Sequence, residues 1–241
     1  MCIDLSYSGG RSEQNSQATW LMMIEYIHYH QDAKGMARSK SSSAWLREHV
    51  EDPYVQRAVR EGYRARSAYK LLEILEKDRL VRSGMRVLDL GAAPGSWSQV
   101  VAPLVGSQGQ VLATDILEMQ PLTGVGFLQG DFREESVVQS LVNMLSGHRA
   151  DLVLSDMSPN ISGTAAVDQA RSMHLCELAL ELAVQVLRPG GAMLVKVFQG
   201  EGSDTFRKSM AAVFPLLKTR KPKASRPRSS EIYLLGLDKR L

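Results

Sequence analysis

From residue 85 onward the chain alternates between two hydrophobic periods. Short apolar runs, typical of buried strands, are separated by longer segments in which apolar residues recur every three to four positions, as in helices. Strands are predicted at 86–91, 110–115, 126–129, 151–156, 192–198 and 231–237, with a weaker one near 216–221, and helices at 95–105, 134–146, 168–187 and 203–213. This alternation predicts a mostly parallel, seven-stranded α/β sheet with helices on both faces.

The segment that precedes this core has a different character. Residues 44–82 show helical periodicity, and within them residues 57–70 carry five cations against one acid, which predicts a basic helix. We therefore expect one domain over 36–241, with a basic helical part at 36–82 and the core at 83–241. Residues 1–35 are acidic on balance, and Met36 opens a polar stretch typical of an N-terminus. We interpret 1–35 as an extension, disordered or upstream of the natural start; a docking segment is the alternative.

The strongest local signal is a strand, a glycine turn and a helix between Arg86 and Trp97. The apolar strand stops at Gly91, small residues follow as far as Gly95, and a helix begins at Ser96. Small residues let backbone amides approach a ligand, and a helix N-terminus favours polar or anionic groups. The pattern is typical of a nucleotide-type site, although an ordinary strand-to-helix turn would share it.

Acidic residues stand at the ends of successive predicted strands. Asp89 lies inside the first strand and is expected to support the glycine turn, while Asp115, Asp131 and Asp156 end the next three. Asp115 follows Gly91 by 24 residues, near the roughly 20-residue spacing of an acid that binds ribose hydroxyls. Asp131 is placed to accept from an exocyclic amine such as that of adenine. Strand-end acids are often helix caps, but three beside a glycine turn indicate an adenosine ligand.

Lys196 stands among apolar residues in the predicted strand Ala192–Phe198. Lysine is rarely buried without a partner. Desolvation and a neighbouring cation both favour the neutral form of a lysine, and a neutral lysine is a candidate general base. The alternative is a lysine at a strand end whose ammonium reaches solvent.

Charge and cysteine content narrow the class of protein. The net charge is only +3, but residues 218–228 hold six cations and no acid. Together with 57–70 this indicates a polyanionic partner, most simply a nucleic acid. Two cysteines make a disulfide framework or a cysteine-rich metal site implausible, and no apolar run approaches the roughly 20 residues of a membrane span. We expect a reduced, cytoplasmic protein without a metal or a membrane partner.

Four longer motifs resemble one known family. The segments Asp89–Trp97, Leu128–Phe132, Ser155–Asn160 and Val195–Glu201 closely resemble the FtsJ family of S-adenosylmethionine-dependent RNA 2′-O-methyltransferases. The resemblance is strongest to the bacterial members that methylate a uridine of large-subunit (23S) ribosomal RNA, and it covers roughly residues 38–237. It implies a single Rossmann-like class I methyltransferase domain.

The resemblance also implies the site. The family's catalytic tetrad falls on Lys70, Asp156, Lys196 and Glu231, with Lys196 as the proton acceptor, and its cofactor residues fall on Gly95, Trp97, Asp115, Asp131 and Asp156. The sequence departs from the family pattern at two places. Ser96 stands where close relatives are expected to have glycine, and Pro227 with Ser229 and Ser230 replaces a more arginine-rich loop.

The implied function is transfer of a methyl group from S-adenosylmethionine to the ribose 2′-hydroxyl of a uridine in 23S ribosomal RNA. The expected substrate is the assembled 50S subunit, and the enzyme is expected to be a monomer. The alternatives are a 2′-O-methyltransferase acting on transfer RNA or a messenger cap, and a non-catalytic RNA-binding factor of ribosome assembly. A nicotinamide-dependent oxidoreductase is disfavoured by Lys196, the basic segments and the lack of a spaced G-x-G-x-x-G.

Overall fold

The computed structural model describes residues 50–241 of the chain. The chain separates into two units between Arg66 and Ser67. The described part of the first unit contains helix α1 (Pro53–Glu61), whose N-terminus is capped because the Asp52 carboxylate accepts from the Tyr54 amide at 2.9 Å. The predicted extension 1–35 lies outside the described residues, so the interpretation of it stays a prediction.

The predicted basic helix 57–70 is wrong as one continuous helix. Helix α1 ends at Gly62, which takes the left-handed conformation with φ of 74°, and helix α2 (Ala68–Asp78) begins six residues later. Arg64 and Arg66 therefore lie in the connection rather than on a helix. Left-handed backbone ends a helical hydrogen-bond ladder, but the side-chain periodicity on either side of Gly62 is the same and does not reveal the break.

Strands and helices alternate through the second unit, Ser67–Leu241. After α2 they are β1 (Arg86–Leu90), α3 (Ser96–Val105), β2 (Gln110–Asp115), β3 (Val125–Gln129), α4 (Glu135–Met144), β4 (Ala150–Ser155), α5 (Ala165–Val186), β5 (Leu187–Phe198), α6 (Ser203–Val213), β6 (Leu216–Arg220) and β7 (Glu231–Leu237). The sheet order is β3-β2-β1-β4-β5-β7-β6. Strands β1 to β5 run parallel to one another, and β7 runs antiparallel between β5 and β6. The predicted mostly parallel, seven-stranded sheet is confirmed.

The central strands are covered on both faces. Val87 to Leu90 of β1 are all buried, and successive residues of a strand point to opposite faces. Leu88 and Leu90 share a core cluster with side chains of α4, α5 and α6, including Leu141, Cys176 and Phe206. Strands buried along both faces have near-continuous apolar sequences, which is why the strand predictions held.

One strand begins earlier than the sequence pattern predicts. Helix α5 ends at Val186, three residues before Pro189-Gly190-Gly191, and β5 starts at Leu187 rather than at 192. Leu187 pairs with Ala150, and the register then shifts before Ala192 pairs with Leu152. The helix-breaking residues thus lie in an irregular part of a strand, and local turn chemistry cannot distinguish this from a loop.

The order of the strands places a crevice at the carboxyl ends of β1 and β4. The chain proceeds from β1 to β2 and β3 on one side and returns to β4 on the other, so this is the switch point at which such sheets bind ligands. Within residues 50–241 no helix combines the length and the apolar character that a membrane crossing needs.

Candidate active site

The glycine turn after β1 is shaped by close backbone packing. Gly91 has φ of 70°, and a side chain there would overlap the side chain of Met157. The amides of Gly91 and Ala92 both donate to the carbonyl of Thr114, at 2.9 and 3.1 Å, which fixes the turn against the end of β2. Gly95, with φ of 99°, then precedes the first turn of α3. The predicted strand, turn and helix are therefore present.

Ser96, the residue that departs from the family pattern, fits its surroundings. Its side chain is buried, and its hydroxyl lies 2.6 Å from the hydroxyl of Ser67. Trp97 follows it and is also buried; its indole nitrogen donates to the carbonyl of Ser67 at 2.9 Å. The indole N–H therefore has its hydrogen-bond partner within the protein.

Asp89 supports the turn from below, as expected. Its carboxylate is 1% exposed and accepts from the Ser98 hydroxyl at 2.7 Å, which joins β1 to α3. Burial raises the pKa of Asp89 to about 7; the Ser98 hydrogen bond opposes this rise, and the negative charges of Asp156 and Asp115 add to it.

Asp115 and Asp131 stand at adjacent strand ends. The Asp115 carboxylate accepts from the amides of Ala93 and Leu117, each at 2.9 Å, and burial raises its pKa. Asp131 is instead paired with the exposed guanidinium of Arg133, whose hydrogen bond lowers the pKa of that carboxyl. The Gly130 amide donates to the Asp115 carbonyl at 2.9 Å, so the two loops are linked.

Lys196 and Asp156 meet at the ends of neighbouring strands, because Ser155 of β4 pairs with Val195 of β5. Lys196 is 7% exposed. Its ammonium nitrogen lies 3.2 Å from the Asp156 carboxylate and donates to the Asp156 backbone carbonyl at 2.6 Å. The lysine that the sequence marks as buried is therefore buried and partnered.

Lys70 and Glu231 form a second ion pair in the same place. The Nζ atom of Lys70, from α2, lies 2.8 Å from Oε1 of Glu231, at the start of β7, and both side chains are largely buried. The charge of Lys70 also acts on Asp156. The structure thus brings together all four residues of the tetrad implied by the resemblance.

The two acids of this cluster ionise more easily than ordinary carboxylic acids. Burial by itself raises the pKa of Asp156, but the charges of Lys196 and Lys70 and a hydrogen bond from Tyr233 outweigh it, and the pKa is lowered. Burial likewise raises the pKa of Glu231, and the adjacent Lys70 more than reverses that effect. Both groups are therefore carboxylates at neutral pH.

Tyr233 is a member of the cluster that sequence reasoning missed. Its fully buried ring lies 5.7 Å from the ring of Trp97, and its hydroxyl donates to Asp156 at 2.7 Å. The Lys70 ammonium lies 5.9 Å from the centre of its ring. The available signal was its position two residues after Glu231, because residues i and i+2 of a strand share a face.

Several cations of the predicted RNA-binding segments are engaged within the protein. In the first unit, Arg57 pairs with Glu61 and Arg66 with Asp52. In the second unit, Lys218, Arg220 and Lys221 have internal partners. These internal contacts could not be read from the sequence, because sequence shows a charge but not its partner.

Solved structures with the same architecture are methyltransferases. A ribosomal RNA methyltransferase from Plasmodium falciparum, described as putative, matches with a TM-score of 0.66 and 29% identity over 73% of this chain and 98% of its own. Human methyltransferase-like protein 13, solved in complex with SAH, matches with a TM-score of 0.52 and 16% identity over 70% and 82% of the two chains, which is a likeness of fold alone. The fold, with the crevice and its acids, is that of a class I methyltransferase.

The sequence match is more specific than the fold. Residues 63–239 match the model of the FtsJ-like methyltransferase family, and the chain belongs to that family. It is therefore a methyltransferase with S-adenosylmethionine as its methyl donor, as predicted.

Two similar relatives share one name, Ribosomal RNA large subunit methyltransferase E. The relative from Azoarcus sp. (strain BH72) is 63% identical over 205 residues, which cover 85% of this chain and all of the relative. The relative from Acinetobacter baumannii (strain AYE) is 61% identical over 198 residues, covering 82% and 92%.

Proposed function

We propose that this protein transfers a methyl group from S-adenosylmethionine to the ribose 2′-hydroxyl of a uridine in large-subunit ribosomal RNA. We further propose that it acts as a cytoplasmic monomer on the assembled 50S particle. The names of relatives at 61–63% identity support the RNA class. The structural observation that carries the proposal is the buried Lys196–Asp156 contact beside the Lys70–Glu231 pair, at the carboxyl edge of the sheet.

Lys196 is the proposed proton acceptor. A ribose 2′-hydroxyl is a poor nucleophile until its proton is removed, and a positioned base contributes typically 10²–10⁴-fold. A neutral amine has two N–H donors, and Lys196 has two acceptors in reach, the carbonyl and the carboxylate of Asp156. Both hydrogens are then used, and the lone pair remains for the incoming hydroxyl.

The other three tetrad residues hold Lys196 in place. Glu231 holds Lys70 at 2.8 Å, and Asp156 holds Lys196. In this assignment Glu231 orients Lys70 and does not itself transfer a proton.

The crevice beside the tetrad contains the residues that we propose bind the cofactor. Asp89 is buried and Asp115 is partly buried, and both accept from hydroxyl or amide groups, so a crevice of this kind suits a cationic ligand. We assign Asp115 to the ribose hydroxyls of the cofactor and Asp131 to its exocyclic amine. Gly95 and Trp97 are assigned to contacts through their backbone. Asp156 is assigned to the cofactor site where that site meets the tetrad. S-adenosylmethionine supplies a methyl group on an electrophilic sulfonium. The remaining contribution of the protein is to hold the reacting groups in line.

Phosphate contacts fall to the exposed cations of the loop between β6 and β7, such as Lys223 and Arg228. Such contacts give a salt-dependent affinity that reads little sequence. Selection of one nucleotide then depends on the shape of the RNA and on an unstacked target base.

The test is methyl transfer from labelled S-adenosylmethionine to large ribosomal subunits that lack the modification, with free ribosomal RNA and transfer RNA in parallel. We expect label in a ribose of the large-subunit RNA, and more with the subunit than with free RNA. Label confined to transfer RNA would keep the mechanism and replace the substrate. An absence of label in every RNA, with cofactor binding intact, would favour the assembly-factor alternative.

A further inference from the structure

Several cations of the basic segment 218–228 contact groups within the protein. Lys218 and Arg220 both pair with the Asp78 carboxylate, at 3.2 and 2.7 Å, and that carboxylate is only 2% exposed. These two contacts tie β6 to the end of α2. Exposure does not distinguish the lysines, because Lys218, Lys221 and Lys223 are all exposed. The role of Lys221 has to be decided from its contacts.

Lys221 closes the loop that connects β6 to β7. It is the first residue after β6, and Glu231 is the first residue of β7. The Lys221 ammonium donates to two backbone carbonyls on the far side of the loop, that of Ser229 at 2.7 Å and that of Glu231. Hydrogen bonds from a charged donor are shorter and stronger than those between neutral groups. Lys221 therefore holds the backbone of the residue whose side chain pairs with Lys70.

A second contact ties the same loop to α2. The backbone amide of Lys223 donates to the carboxylate of Glu73 at 2.7 Å. Glu73 follows Lys70 by three residues on α2, so the two lie close together on the helix surface. The loop is packed against the protein between its tethers, with Ala224 fully buried and Ser225 only 5% exposed.

Both elements that carry the Lys70–Glu231 pair are thus joined by one tethered loop, residues 221–230. We infer that Lys221 and Glu73 are positioning residues, which hold this loop against β7 and α2 and thereby set the contact between the Lys70 ammonium and the Glu231 carboxylate. The inference rests on the proposed function of the tetrad. It also gives Lys221, which the sequence places in a run of cations typical of phosphate binding, a role in positioning the Lys70–Glu231 pair.

Kinetics separate a positioning lysine from a phosphate contact. Loss of a phosphate contact raises KM and lowers the steepness of the salt dependence by about one unit. Loss of a positioning contact lowers kcat, by about tenfold for a small misplacement, and leaves the salt dependence unchanged. Lys221→Met and Lys223→Met are the matched pair, because the second removes an ammonium from the same loop while its backbone contact with Glu73 remains.

Glu73 gives a second, independent pair of variants. Glu73→Ala removes the acceptor of the Lys223 amide, and Glu73→Gln retains a carbonyl that can accept the same bond. We expect Glu73→Ala to lower kcat without a change in salt dependence, and Glu73→Gln and Lys221→Arg to recover most of the rate. Recovery by the conservative variants separates positioning from a general loss of fold.

Titration of Glu231 tests the inference even if no RNA is methylated. Burial raises the pKa of this carboxyl and Lys70 lowers it, so a loosened pair shifts the pKa upward. We expect the carboxyl carbon of Glu231, followed by ¹³C NMR and assigned with Glu231→Gln, to titrate higher in Lys221→Met and Glu73→Ala than in Lys223→Met. An unchanged Glu231 titration in both, or a Lys221→Met variant with normal kcat and a flatter salt dependence, would overturn the inference.

Discussion

The two halves of the crevice contain buried carboxyl groups in opposite electrostatic settings. On the tetrad side, Asp156 and Glu231 each contact a lysine, and their pKa values are lowered in spite of burial. On the cofactor side, Asp89 and Asp115 accept from hydroxyl and amide groups, and burial raises their pKa values. The difference is the presence of a cation, since all four carboxyls are at least partly buried.

The tetrad side therefore has its charged partners within the protein, whereas the cofactor side is completed by a ligand. On the tetrad side each carboxylate contacts a lysine of the protein, so these contacts are in place before substrate arrives. On the cofactor side Asp131 is paired with Arg133, whereas Asp89 and Asp115 accept from hydroxyl and amide groups, and a cationic ligand would balance their charge. The same residue type is therefore expected to respond differently to mutation and pH in the two halves.

The largest expected effect comes from removal of the tetrad lysine on β5. Lys196→Ala removes the proposed base and should lower the methyl transfer rate by about 10³-fold or more. S-adenosylmethionine should still bind, because Asp89, Asp115 and Asp131 are untouched. Single-turnover transfer and calorimetric binding measure the two properties separately. Turnover close to that of the unmodified protein would exclude Lys196 as the base.

Asp89→Asn tests the cofactor half through stability. Burial raises the pKa of Asp89 in the folded protein from its ordinary 3.8 to about 7, so between these pH values the folded state retains a proton that the unfolded chain releases. The stability from this group is fully present below about pH 4 and is lost as the pH rises through 7. Asparagine cannot ionise, so the variant should be more stable at pH 8 by about 1–4 kcal/mol. Urea unfolding from pH 4 to 8 measures this; parallel stability curves for the two proteins would contradict it.

Tyr233→Phe sharpens the comparison by weakening the tetrad half without removing a charge. The ring remains, but Asp156 loses a 2.7 Å hydrogen bond, and bonds to charged groups contribute about 1.5–3 kcal/mol. We expect the pKa of Asp156 to rise and kcat to fall about tenfold, with KM for the cofactor unchanged. The pH profile of kcat should shift with the Asp156 pKa. A normal kcat and an unshifted profile would mean that the hydroxyl has no part in placing Asp156.

The smallest effect is expected at the exposed rim of the cofactor half. Arg133 pairs with Asp131, and Arg188 pairs with Asp151 at the opposite end of the sheet; the arginine side chains are 56% and 46% exposed. Surface pairs contribute little, so Arg133→Ala should weaken cofactor binding only about two- to threefold. Arg188→Ala is the matched control and should leave the affinity unchanged. Equal affinity changes in the two variants would show that Arg133 does not act through Asp131.

The local pattern of hydrophobic and polar residues was sufficient to predict the fold and to identify single unusual residues. The apolar runs identified the central strands because strands buried on both faces require continuous apolar sequence, and the weaker signal near 216–221 corresponds to the exposed strand β6. Lys196 was recognisable because a lysine within such a run is costly to bury. Local pattern failed at Gly62 and at Leu187, where a left-handed residue and a register shift change the backbone without changing the periodicity.

Which side chains contact one another was decided by the tertiary structure. From the residues alone, nothing joined Lys70 on α2 to Glu231 on β7; a family resemblance suggested the set, and folding places their charged atoms 2.8 Å apart. The roles of Tyr233 and Lys221 likewise depend on their hydrogen-bond partners. Tyr233 donates to the Asp156 carboxylate, and Lys221 donates to two backbone carbonyl groups. The physical reason is that a sequence determines which residues must be buried, whereas a pKa or a hydrogen bond depends on which other group is buried beside them.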